Sequence, residues 1–325
     1  MTVEDKITPG LHEVRRDAER SPQAERPKKR VVNGWVVLDK PVGMTSTFAV
    51  AAVKRALNAK KAGHAGTLDP LASGILPIAL GEATKTVPYV MDGRKSYVFT
   101  VAWGVETDTD DAEGKPVQAT NRAPERAEIE ALLPRFTGSI EQVPPRFSAV
   151  KIAGERAYDL ARDGETVELK ARVVEVSRLA LVGHDGDRSV IEADCGKGTY
   201  VRSLARDLGR ALGCLGHVAA LRRTRVGPFG EAETRTIGEL EAASSDPERL
   251  AAVLQPTIAA LNDLPALPVS RDAAGRLMRG QPVVLRGRDA PVEGRFSATL
   301  NGALVAIGDV ERGELVPHRV FNLAG

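Results

Sequence analysis

The sequence is short of several things, and each shortage closes off a class of protein. It has two cysteines in 325 residues, Cys195 and Cys214, too few and too far apart for a disulfide framework or a thiolate metal site. No uninterrupted apolar stretch approaches the roughly 20 residues of a membrane span. The first thirty residues lack the apolar core of a signal peptide, which points to the cytoplasm. Charge of one sign is scarce as well, with a formal net charge of only +2. Aromatic residues make up 4%, while hydrophobic content, at 42%, is ordinary for a globular protein.

What is present suffices for one large domain and a smaller one. Residues 1–30 mix charges of both signs with three prolines and few large apolar side chains, a composition that predicts a disordered tail. The remaining chain balances acids and bases, so a nucleic-acid footprint must come from segregated charge. Segregation is there: Lys197 to Arg225 holds seven basic residues and one acid, and Glu106 to Glu113 holds five acids and no base. Solvated faces give the same pattern. The acid run lacks the spacing of a calcium loop and reads as a polar turn between strands.

Periodicity supplies the elements. Val31 to Asp39 predicts a strand ended by the turn Lys40-Pro41-Val42-Gly43. Ser46 is placed to cap a helix whose Val50, Val53 and Leu57 form one stripe. Strands are predicted at Ile75–Leu80, Lys95–Trp103, Val167–Val182 and Val190–Cys195, and helices at Thr84–Met91, Pro124–Leu133 and Val201–Leu212. On the last helix Arg202, Arg206 and Arg210 recur at every fourth position, a repulsive arrangement unless an acid or a phosphate lies nearby. Thr236 with Glu239 makes a capping-box pattern, and Asp246-Pro247 opens another helix. Asn262-Asp263-Leu264-Pro265 marks a boundary between residues 31–263 and 264–325, beyond which short strands at Pro282–Leu285, Phe296–Leu300, Leu304–Ile307 and His318–Leu323 predict a small β-rich module.

Chemistry concentrates in Gly63-His64-Ala65-Gly66-Thr67-Leu68-Asp69-Pro70-Leu71-Ala72-Ser73-Gly74. Its glycines allow tight turns, Pro70 biases Asp69 toward an extended backbone, and no second acid lies within twelve residues on either side. A lone, displayed carboxylate suits a nucleophile and not paired acid–base work. Spacing alone leaves open that Asp69 caps a following helix.

This run, with Ile75-Leu76-Pro77 and Gly81-Glu82-Ala83-Thr84-Lys85 after it, resembles the signature of the TruB family of tRNA pseudouridine synthases, which make pseudouridine 55 in the TΨC arm. The resemblance implies an α+β pseudouridine-synthase fold, a mixed, mainly antiparallel sheet flanked by helices. It makes Asp69 the catalytic aspartate and places His64 near the RNA. By the same resemblance Tyr97 contacts the target base, Leu221 lies against it, and Tyr200 packs in the site. Gly198-Thr199-Tyr200-Val201-Arg202-Ser203 is similar to the family pattern in which the arginine ion-pairs with the aspartate. Asp39-Lys40-Pro41 resembles the opening motif and adds Lys40 to the RNA-binding set. Arg146, Lys151 and Arg156, interleaved with Phe147 and Tyr158, resemble an insertion, about 137–166, that grips the T arm and orders when RNA binds. Gly280-Gln281-Pro282-Val283 is similar to the PUA-like C-terminal RNA-binding domain of bacterial members. The implied partner is tRNA, acted on by a monomer without cofactor or metal. The alternatives are an RNA-binding or tRNA-folding protein without turnover, and a synthase for another RNA.

Overall fold

Trp35-Val36-Val37-Leu38 and Ile75 to Leu80 have no polar face, and they form the middle of the fold. The computed structural model describes residues 28–148, 151–152, 155–156, 169–288 and 290–323. All but the last three residues of the expected tail, and most of the insertion beyond Ser148, lie outside them. Strand β1 (Gly34–Lys40) pairs antiparallel with β3 (Ala72–Leu80). On β1, Trp35 and Val37 point into one core with Ile75, Val90 and Phe229, while Val36 and Leu38 point into another with Leu76, Phe99 and Leu208. Burial on both faces explains a continuous apolar run where a half-exposed strand would alternate.

Ten strands make up this sheet. Beside β3 runs β12 (Gly216–Val226), parallel to it, and then β4 (Lys95–Trp103), β11 (Arg188–Cys195), β10 (Arg172–Asp185) and β7 (Gly138–Gln142), each antiparallel to its neighbour. Short β2 (Ala62–His64) adds to β3, β13 (Phe229–Gly230) pairs antiparallel with β12, and β14 (Thr234–Arg235) lies parallel to β1. A hairpin of β5 (Val105–Thr107) and β6 (Pro116–Ala119) carries the acid run in its turn, as expected, and β8 (Lys151–Ile152) pairs with β9 (Glu155–Arg156). Helices α1 (Ser46–Ala56), α2 (Val87–Asp92), α3 (Arg126–Leu132) and α4 (Val201–Leu212) connect these strands. Gly213, at φ +68°, ends α4 in the left-handed conformation that glycine permits. Among the described residues no helix is long and apolar enough to cross a membrane.

A separate five-stranded sheet follows near the C-terminus, in the order β15 (Ala266–Pro268), β17 (Glu293–Leu300), β18 (Ala303–Glu311), β19 (Glu314–Val320), β16 (Val283–Val284). It carries a helix at Arg271–Met278 that periodicity did not predict, capped by the Ser270 side chain accepting from Ala273 N. This unit sits on the segment just after β3. Leu304, Ile307 and Phe321 pack against Leu261 and Tyr89, Lys85 Nζ donates to Val320 O at 2.8 Å, and Asn322 N donates to Glu82 Oε2 at 2.8 Å.

Candidate active site

The loop between β2 and β3 is fixed at one backbone group after another, and the Asp69 side chain on it stays partly exposed. Arg223, on β12, sends Nε to Ile75 O at 2.8 Å, one terminal nitrogen to Thr67 O at 3.0 Å and the other to Gly66 O at 3.3 Å. Ser46 Oγ, 5% exposed as a residue, both accepts from Leu68 N and donates to Leu68 O, each at 2.9 Å. Gly43 N donates to Pro70 O at 2.7 Å. Ser46 is therefore not the cap of α1; Thr45 takes that place and accepts from Phe48 N at 3.1 Å. No helix follows Asp69. The chain turns, with Ala72 N donating to Asp69 O at 3.1 Å, and enters β3. Gly74, at φ +98°, lies so close to β12 that a Cβ there would collide with Arg223 O.

Lys40 was expected to face RNA, and here it is wholly buried at 0% exposure. Its Nζ donates to Pro41 O and Met44 O at 2.9 Å each and reaches Pro70 O at 3.4 Å. Burial lowers its pKa to about 8, against the pull of Asp69. It supports the loop from below and presents no surface to a phosphate.

Asp69, with its side chain one-third exposed, meets Arg202 from the first turn of α4: Nε lies 2.9 Å from Oδ2. The approach is off the hydrogen-bond direction, so the pair is an ion contact. Arg202 is buried, and the rest of its guanidinium is held by Thr109 O at 3.0 Å, Phe147 O at 2.9 Å and Asp111 Oδ2 at 3.5 Å. A guanidinium so fixed sets the direction of a neighbouring carboxylate. Tyr200 precedes α4, its backbone clasped by Gln142, which accepts from Tyr200 N at 2.8 Å and donates to Tyr200 O at 3.1 Å. Burial raises the pKa of its hydroxyl, as it does for Tyr97, which is pushed to about 12. Both phenols stay protonated at neutral pH.

Tyr97 lies across from Arg223 in the β4–β12 pairing, and Leu221 lies across from Phe99 on one side and Ala72 on the other. So Tyr97, Leu221 and the Asp69 loop meet where three strands adjoin. His64 is half-buried at the end of β2, opposite Ile78. Arg146 is exposed, just before the Phe147 carbonyl that holds Arg202. Lys151 and Arg156 are cross-strand partners in the β8–β9 pair, and Tyr158 lies outside the described residues.

The basic run from Lys197 to Arg225 is not a free phosphate-binding face. Arg206 pairs with Asp110 at 2.9 Å, Arg210 with Glu106 at 2.5 Å, Arg222 with Asp39 at 3.0 Å and Lys197 with Asp92 at 2.8 Å. The acid run and the arginine row, separate in the sequence, are each other's counterions. Sequence reasoning missed Asp111, Asp110 and Arg206 at the site. The signal was available: an arginine every fourth residue needs acids, and the chain has one run of them.

Residues 54–201 match the family model described as TruB family pseudouridylate synthase (N terminal domain), and 202–262 match that of the tRNA pseudouridylate synthase B C-terminal domain. A tRNA pseudouridine synthase B of Bradyrhizobium diazoefficiens is 60% identical over 97% of this chain and 95% of its own. Another, of Rhodopseudomonas palustris, is 63% identical over 92% of this chain and 84% of its own. Among solved structures, a chain of a Cbf5-Nop10-Gar1 complex superposes with a TM-score of 0.69 at 27% identity, covering 94% of this chain and 91% of that one. A chain of an H/ACA RNP bound to a substrate RNA containing 2'-deoxyuridine gives 0.69 at 25% identity, over 90% of this chain and 86% of that one. With Asp69 displayed on a braced loop, Arg202 against it, and this sheet order beneath them, the chain belongs to the TruB family of pseudouridylate synthases.

Proposed function

We propose that this protein isomerises uridine 55 in the TΨC arm of tRNA to pseudouridine, with Asp69 as the catalytic carboxylate. The reaction breaks the bond from uracil N1 to C1′, turns the base and rejoins it through C5. A carboxylate cannot reach a base stacked inside a folded loop, so the nucleotide is flipped out, at a cost of a few kcal/mol offset by stacking and phosphate contacts. Tyr97 and Leu221 supply the faces for the flipped base, and Tyr200 closes the pocket beside Arg202. His64 and the exposed Arg146, with Lys151 and Arg156 on the neighbouring hairpin, are the RNA-facing groups of the reading; Lys40 is not among them.

The observation that carries the reading is the Asp69–Arg202 contact at 2.9 Å, with the arginine buried and the aspartate partly exposed. A protein that only bound RNA would gain nothing from a carboxylate aimed at a phosphate-rich ligand. The test is to incubate an unmodified tRNA transcript with the protein and map pseudouridine by carbodiimide adduction and primer extension. A carbodiimide-dependent stop one nucleotide 3′ of position 55 is expected. Conversion in a ribosomal RNA fragment but not in the tRNA would assign the enzyme to another RNA, and binding without conversion would make it a binding protein.

A further inference from the structure

One turn beyond Arg202, α4 carries Arg206, which the reaction does not use and which is nevertheless buried at 6% exposure. Each arm of its guanidinium is occupied. Nε donates to Asp207 Oδ1 at 2.8 Å, one terminal nitrogen to Asp110 Oδ2 at 2.9 Å, and the other to Val143 O at 2.8 Å. Ser203 Oγ adds a second donor to Val143 O, at 2.9 Å. Arg206 therefore ties together two stretches of chain, the turn of the β5–β6 hairpin and the segment leaving β7. The same two stretches hold Arg202: Thr109 O and Asp111 Oδ2 come from the first, and Phe147 O from the second.

Asp110 lies between Thr109 and Asp111, so a shift of Asp110 carries both of Arg202's supports on that side with it. Asp110 is also a non-glycine residue at φ +61° and only 6% exposed. A backbone of that kind persists only where its surroundings impose it. Here the Asp110–Arg206 contact does so from the side-chain end, while Val218 N donates to Asp110 O at 3.1 Å from the backbone end. Burying an ion pair is a poor way to gain stability, because desolvation offsets the attraction and apolar replacements often do as well. What the pair does supply is a defined geometry for its neighbours.

We propose that Arg206 and Asp110 are a positioning pair that sets the Arg202 guanidinium, and through it the Asp69 carboxylate, for the isomerisation. The inference rests on the reading that Asp69 carries the chemistry. Arg210 marks the contrast. It holds the same hairpin at its base through Glu106, but its side chain is 54% exposed, and among the described residues Glu106 is not one of the groups that hold Arg202. Anchoring the hairpin and aiming Arg202 are thus separable functions of the arginine row.

The experiment measures single-turnover tritium release from a T-arm stem-loop carrying 5-tritiated uridine, with RNA affinity and thermal unfolding of each variant. Asp110→Asn keeps the shape and removes the charge. Its turnover rate is expected to fall by roughly tenfold to hundredfold, the cost of a small misplacement of a catalytic group, with RNA affinity unchanged. Arg210→Ala is expected to lower the unfolding midpoint while its rate stays within about twofold of the unmutated protein. Arg206→Lys keeps the charge and gives up one arm of the fork, and it carries the same expectation as Asp110→Asn should that variant fail to fold. Undiminished turnover in Asp110→Asn or Arg206→Lys overturns the proposal. So does a loss that appears in RNA affinity, or one that Arg210→Ala shares in proportion to lost stability. Absence of turnover by the unmutated protein is a different failure, and it removes the functional reading itself.

Discussion

Replacing Lys40 with Met separates two opposed effects of a buried lysine. The pKa of the folded state stands at about 8 against an ordinary lysine value of 10.5. Holding the charge inside at neutral pH therefore costs on the order of 3 kcal/mol, at about 1.4 kcal/mol per unit. Met removes that cost but leaves Pro41 O and Met44 O without the lysine donor, while Pro70 O keeps Gly43 N, at about 1–3 kcal/mol for each carbonyl that stays unpaired. Near neutrality the two nearly cancel or tip toward loss, so one unfolding curve decides little. The pH dependence decides it. Between the two pKa values the unfolded chain keeps a proton that the folded chain has lost, so the lysine's contribution to stability is present above the unfolded pKa and disappears as pH falls through the folded one. The unmutated protein should then gain about 2 kcal/mol over Lys40→Met between about pH 7.5 and about pH 9.5. Urea unfolding of both proteins at the two pH values measures it, since the other titrating groups are common to both. A constant difference would refute the picture of a charged, desolvated lysine under the catalytic loop. Turnover by Lys40→Met should fall with the loop's shape, whatever the stability.

Gly74→Ala places a Cβ at φ +98° against Arg223 O, and left-handed strain plus separation of β3 from β12 should cost about 2–5 kcal/mol in denaturant unfolding; an unchanged midpoint would contradict the close approach. Ser46→Ala leaves the Leu68 N–H and carbonyl unpaired in the interior, with an expected loss of about 2–4 kcal/mol and a lowered turnover rate, whereas a surface cap would lose about 1 kcal/mol and no activity. Lys85→Met removes the donor to Val320 O and should make the C-terminal sheet more open to limited proteolysis while the catalytic sheet stays resistant; equal protection would show that the apolar contacts at Phe321 suffice.

The Asp69 loop stood out because its information is local, glycines and a proline at fixed offsets around one acid, but those offsets left a helix cap open and the resemblance to the TruB family decided the reading. The strands of the large sheet were legible where apolar runs are long, as in β1, β3 and β4. Lys40 was not, because a turn lysine becomes a buried one only when Pro70 and Met44 fold back over it. Thr45 and Ser46 are both good caps, and the choice between them was made by Leu68, twenty-two residues from Ser46. The arginine row on α4 showed that it needed acids. Which acids it found, 96 residues away for Arg206 and Asp110, is a tertiary fact. The helix at Arg271–Met278 was hidden because its buried stripe is short, Ala274 and Leu277, set among arginines and a glycine.

We propose that one carboxylate, held by one guanidinium, carries the isomerisation. It is tested most directly by tritium release from 5-tritiated uridine at position 55 of a T-arm stem-loop, comparing the unmutated protein with Asp69→Asn under single-turnover conditions. Release by the unmutated protein is expected, and none by Asp69→Asn even with the RNA fully bound. Release by Asp69→Asn at the unmutated rate would contradict the proposal.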